Sequence, residues 1–107
     1  MLIVRGVNVF PTQIEQVLLS HAGLSSNYQI LVDRQRDALD ELEIHVEADE
    51  MLQHKGAETI GLLQAAVTND LHQALGLHAH VLIVEPHHLP RSEGKVKRVV
   101  DRRQLFG

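Results

Sequence analysis

The residue with the clearest capacity for chemistry is Lys95, in the stretch "LPRSEGKVKR" (89–98). Pro90 fixes one backbone φ and Gly94 frees another, so the chain between them can turn sharply and carry Lys95 at the tip of a loop. There the ammonium is a compact charge with three donors. It can meet phosphate or carboxylate oxygens as negative charge builds on them during acyl or phosphoryl transfer. A solvated basic tail would use the same residues, and composition alone favours that plainer use. A Walker-type nucleotide cradle is excluded. Leu89 stands where that loop needs its first glycine, and Val96, rather than Ser or Thr, follows the lysine.

The other candidates are less specific. Eight histidines include His78 and His80, which would share a face if they lay in one strand, with His87 or His88 as a third ligand. No Asp or Glu is spaced to complete a recognised site, Glu85 being only a loose candidate, so scattered surface histidines are expected and no metal ligand set is assigned. Ser20, Ser25, Ser26 and Ser92 lack a glycine elbow and offer no nucleophile. Glu41 and Glu43 alternate with apolar residues and read as a solvated strand face.

These side chains must be positioned by a small molecule. The chain of 107 residues fits a single domain, 1–107, with one modest core. It has no cysteine, which removes disulfides and thiolate metal sites and fits a reducing compartment. No apolar run approaches the roughly 20 residues that cross a bilayer, and "MLIVRGVNVF" is too briefly apolar for a signal peptide. A cytoplasmic protein without membrane contact is expected. The net charge of −4 hides an asymmetry. Residues 91–103 hold six basic side chains against two acidic ones, while the rest holds four basic and twelve acidic. With only Phe10, Tyr28 and Phe106 as aromatics, base stacking is a poor prospect and no nucleic-acid partner is expected.

Periodicity gives the elements. "MLIVRG" reads as a strand entering a turn. Pro11 opens a helix with Ile14, Val17, Leu18 and His21 at helical spacing, stopped by Gly23. "YQILVD" (28–33) is a strand, and "ELEIHVE" (41–47) alternates, with Leu42, Ile44 and Val46 on one side and Glu41, Glu43, His45 and Glu47 on a wet side. A helix over about 56–75 carries Ile60, Leu63, Val67, Leu71 and Leu75 in one stripe, with Gly76 at its C-cap. "AHVLIVE" (79–85) is the last good strand, and "VKRVVDRR" is extended or a helical turn. The order β-α-β-β-α-β predicts an α+β fold: two layers, a small mainly antiparallel sheet with two helices on one face, and a basic C-terminal loop.

Taken together, "LIVRGVNVFPTQIEQVL" (2–18) and "LPRSEGKVKRVVDRR" (89–103) resemble two motifs of the adenylate-forming (AMP-binding) enzymes, in the wording of the phenylacetate–CoA ligase branch. There the motifs belong to the C-terminal lid domain, and the likeness runs from Met1 to Arg103. The resemblance implies that Lys95 enters the active site during adenylation. It implies that the Gly6 loop lines the pantetheine tunnel during thioester formation, where a glycine lets the thiol arm pass close to the backbone. Glu15 matches a position of the first motif with a structural role. Arg5 and Arg91 are candidates for coenzyme A or nucleotide phosphate contacts.

Two departures fit the phenylacetate branch: Asn8 stands where many members have a basic residue, and the lysine loop is one residue shorter than the common form. The implied reaction joins an aryl acid, ATP and Mg²⁺ to give an acyl-adenylate, then passes the acyl group to coenzyme A, with no cofactor held tightly by this chain. The expected partner is a large N-terminal nucleotide-binding domain, from the same gene or in trans, and the hinge would lie at or before Met1. The chain alone is expected to be inactive. A homodimer is a further partner to test for. The competing expectation is a stand-alone small-ligand-binding or assembly module of ferredoxin-like type without catalysis; a flexible glycine beside a lysine is what such a module does not need.

Overall fold

The computed structural model describes residues 2–34, 40–89, 91–92, 95–96 and 99–102, with only the backbone described for 91–92 and 95–96. The fold is α+β. A hairpin of β1 (Leu2–Val4) and β2 (Val7–Val9) precedes α1 (Pro11–Leu19). Then come β3 (Leu24–Arg34) and β4 (Asp40–Ala48), a five-residue α2 (Glu50–His54) and the long α3 (Ala57–Leu75). The chain ends with β5 (His80–Val84), the two-residue β6 (Arg91–Ser92) and β7 (Lys95–Val96), and β8 (Val99–Asp101).

The central sheet has the order β5-β4-β3-β8. β3 and β4 are antiparallel, and both edge strands join in parallel, β8 on β3 and β5 on β4. The sheet is therefore mixed, and the antiparallel pairing that dominates the residues in register comes from β3–β4 together with the two separate hairpins, β1–β2 and β6–β7.

The β4 alternation decides which face is covered. Leu42, Ile44, Val46 and Ala48 are buried with Tyr28, Ile30 and Val32 of β3. The helices lie over that face, α1 against β3, α2 against β4 and α3 against β5. Ile14 and Leu18 of α1 complete the core with Val67, Leu71 and Leu75 of α3, at the i, i+4 spacing that puts them on one stripe. Ile60 and Leu63 continue the stripe, partly buried. Gly76, at φ +77, ends α3 by donating its N–H to the His72 carbonyl at 2.9 Å. α1 begins at Pro11, and the Gln13 side-chain oxygen accepts the Phe10 N–H at 3.1 Å. His21 falls just beyond α1 rather than in its stripe and pairs through Nε2 with Asp70 of α3 at 2.7 Å, joining the two helices.

Candidate functional site

Two hairpins, β1–β2 and β6–β7, carry the residues singled out in the sequence. The first turn is Arg5–Gly6, closing β1–β2 with Val4 opposite Val7. Both residues are left-handed, Arg5 at φ +53 and Gly6 at φ +76. This is the mirror-image turn whose twist matches that of the flanking strands, and it ordinarily takes Asn-Gly or Gly-Gly. Gly6 meets the requirement without strain, and the space where a Cβ would sit is open to at least 4 Å. The backbone there is exposed, with room for a thin ligand to lie against it.

The turn is fastened to the central sheet. Asp40, at the first position of β4, accepts the Arg5 backbone N–H through Oδ2 at 3.0 Å. The Arg5 Nε donates to the Asp40 carbonyl at 2.8 Å. On its other oxygen, Asp40 Oδ1 accepts Arg34 Nε at 2.8 Å from the paired position on β3. Asp40 is only 8% exposed, so these charge-assisted bonds act in a poorly hydrated setting. Arg5 thus commits one edge of its guanidinium to the protein, and a phosphate contact would use its two terminal nitrogens.

The second turn joins β6 and β7, with Arg91 opposite Val96 and Ser92 opposite Lys95. Lys95 is therefore the first residue after the turn. Gly94, the side chains of Lys95 and Arg91, and Pro90 lie outside the described residues. The approach to this hairpin is described. Glu47, one residue from the end of β4, is 1% exposed and accepts the N–H of His87 through Oε1 at 3.0 Å and that of Leu89 through Oε2 at 2.9 Å. His87 is left-handed at φ +64, and His88 N–H donates to the Glu85 carbonyl at 3.2 Å. Glu47 was expected on the wet side of β4. It does point to that side, but the 85–89 loop covers it, and its carboxylate takes up two backbone donors that the loop would otherwise leave unpaired.

β4 thus holds the Arg5–Gly6 turn through Asp40 at one end and the 85–89 loop through Glu47 near the other. Asp40 and Glu47 are the buried polar residues among those described, and neither was singled out in the sequence. Burial, the feature that marks them, is set by segments some 40 residues away.

His78 and His80 line different hollows. His78 precedes β5 and stacks on His72 with ring centroids 3.8 Å apart, in an open groove along α3 lined by Gly61, Gln64 and Thr68 among others. His80 lies instead beside Glu43, Asp33 and Arg102 on the uncovered face of the sheet. Glu15 sits half-buried on α1. Among the described residues no helix is long and apolar enough to cross a membrane.

Comparison with known proteins converges on one family. The profile of the AMP-binding enzyme C-terminal domain matches residues 6–103. Over 107 residues the chain is 38% identical to phenylacetate-coenzyme A ligase of Escherichia coli (strain K12), covering all of this chain and 24% of that enzyme. The enzyme of the same name from Pseudomonas putida is 39% identical over 103 residues, 96% of this chain and 23% of its own length. The chain therefore spans about a quarter of these curated relatives. A crystal structure of a domain of phenylacetate-coenzyme A ligase from Bacteroides vulgatus ATCC 8482 superposes with a TM-score of 0.88 at 31% identity, covering 99% of this chain and 95% of that one. 2-Hydroxyisobutyryl-CoA ligase, in complex with 2-HIB-AMP and CoA in the thioesterification state, superposes at 0.83 and 30% identity over 94% of this chain and 21% of its own. A profile match from Gly6 to Arg103, 38% identity along the whole chain and a fold shared along nearly all of it lead to one conclusion: this chain belongs to the AMP-binding enzyme C-terminal domain family, in its phenylacetate–coenzyme A ligase branch.

Proposed function

We propose that the chain works as the lid of an ATP-dependent acid–coenzyme A ligase and presents a different turn to each half of the reaction. In the first half the Lys95 ammonium meets the carboxylate and α-phosphate oxygens as the acyl-adenylate forms and pyrophosphate leaves, with Mg²⁺ on the departing phosphates. In the second half the Arg5–Gly6 turn flanks the pantetheine arm while the coenzyme A thiol attacks the acyl carbon and AMP departs. Arg5, through its terminal nitrogens, and Arg91 are the candidate phosphate contacts. A large nucleotide-binding domain supplies the pockets for ATP and an aryl acid, because a lid needs a surface on which to close.

The observation that carries this reading is the Arg5–Gly6 turn. It is an exposed, left-handed stretch of backbone with open space beside Gly6, anchored to the sheet rather than loose. A chain kept only for assembly has no use for a rigid turn with a vacant flank.

The test is complementation. A large domain of a phenylacetate–CoA ligase lacking its own lid is mixed with this chain, ATP, Mg²⁺, phenylacetate and coenzyme A. The expected outcome is restored thioester formation, with Lys95→Ala lowering pyrophosphate release by about 10²-fold or more, as for loss of a charge-stabilising donor. Full adenylation with Lys95→Ala would remove the lysine from the mechanism. Absence of any complementation, together with calorimetric binding of an unrelated small ligand, would favour the stand-alone module.

A further inference from the structure

We infer that Asp40 is the positioning residue of the Arg5–Gly6 turn and that it acts on the coenzyme A half of the reaction; this deepens the lid function proposed above and rests on it. The argument begins with a mismatch. The turn needs two left-handed residues, yet its first position holds Arg5, a side chain that disfavours that conformation. Asn or Gly there would hold the turn by its own preference. With arginine, the conformation has to be held from outside, and Asp40 is placed to do so.

Three bonds converge on this one residue. Its Oδ2 takes the N–H of the strained residue itself, at 3.0 Å. Its backbone carbonyl takes the Nε of the same arginine at 2.8 Å, so Arg5 is gripped by main chain and side chain together. Its Oδ1 takes Arg34 Nε at 2.8 Å, which fixes the carboxylate in plane and balances its charge. Asp40 and Arg34 are register partners at the end of the β3–β4 ladder, so the grip is mounted on the most extensive pairing in the fold. On the Gly6 side nothing lies within 4 Å of the position a Cβ would take. Loss of the carboxylate would leave the turn free to relax to another conformation and carry the Gly6 backbone away from the thiol arm. Lys95 lies on a different hairpin, so adenylation has no dependence on this grip.

The experiment has two arms. In the 107-residue chain, hydrogen exchange at the Arg5 amide is compared between wild type and Asp40→Asn, with central β3 and β4 amides as the internal control. The expected result is about tenfold faster exchange at Arg5 alone, on the scale of one charge-assisted bond. Equal exchange at Arg5 in both proteins overturns the grip. In the complemented enzyme, thioester formation from preformed acyl-adenylate is expected to show about a tenfold rise in KM for coenzyme A with Asp40→Asn, and adenylation to stay within about twofold. Equal losses in both halves make Asp40 a general stability residue and overturn the inference. Arg34→Met loosens the carboxylate without touching the turn. It is expected to shift the same two readouts in the same direction by less, and an effect on adenylation instead counts against the inference. Should complementation fail even with wild type, the lid function falls while the exchange arm still reports on the grip.

Discussion

At Gly6 a single methyl group separates backbone strain from function. An added Cβ would meet nothing within 4 Å, so Gly6→Ala costs only the left-handed conformation, about 1 kcal/mol. In a domain of this size that is a fall in Tm of roughly 4–8 °C, read by thermal unfolding. If the thiol arm runs along this backbone, the same methyl lies in its path, and thioester transfer in the complemented enzyme falls by more than about tenfold. A loss no larger than the stability change explains would take Gly6 out of the site. The turn at Gly6 was legible in the sequence because a glycine closing a β-branched run is a local signal. Asp40 and Glu47 were not. Asp40 is 35 positions from Arg5 and Glu47 is 40 from His87, and no spacing rule spans such distances. Within the strand pattern Glu47 even reads as solvated, since alternation reports which side a residue faces and not what later covers that side.

The elements follow the same division between local and distant causes. β4 and α3 were readable because their patterns run for nine and nineteen residues. β1 was readable from its β-branched run closed by Gly6, but the three-residue β2 and the five-residue α2 are too short to show a period, and packing on the core makes them. The parallel addition of β8 beside β3 could not be seen from a three-residue strand. Two changes test how the elements are held. Leu71 is fully buried in the α3 stripe, and Leu71→Ala should cost about 2–5 kcal/mol by transfer and cavity terms together. That is a large share of a domain's roughly 5–15 kcal/mol, measurable as a lower urea midpoint at unchanged slope. Glu47→Ala acts through a different mechanism. It strands the buried N–H of Leu89, at about 1–3 kcal/mol, and leaves that of the exposed His87 to water. Because those residues lead into the β6–β7 hairpin, adenylation should fall beyond what the stability loss explains, whereas Leu71→Ala should lower both half-reactions together. Equal behaviour of the two variants would mean that Glu47 serves the core and not the hairpin.

For the whole molecule the charge distribution makes a prediction that no single residue makes. Six of the ten basic side chains fall in residues 91–103, and twelve of the fourteen acidic ones lie elsewhere. In the proposed closure the segment that approaches the triphosphate is thus the positively charged part of the sequence, and the remainder carries a net negative charge. Attraction of this kind acts over a Debye length, about 10 Å at 0.1 M salt and about 3 Å at 1 M, so closure over ATP should weaken as salt rises. The core of the chain is apolar, and its stability should change little over the same range. The expected outcome is therefore a KM for ATP in the complemented enzyme that climbs several-fold between about 0.05 and 0.5 M sodium chloride, while the Tm of the chain stays nearly constant. Replacing Lys97, Arg98 and Arg103 by glutamine, with Lys95 retained, should flatten that salt dependence and raise KM at low salt towards the high-salt value. A KM that ignores salt in the wild type would show that the basic end does not face the triphosphate, and the assignment of this segment to the adenylating state would have to be given up.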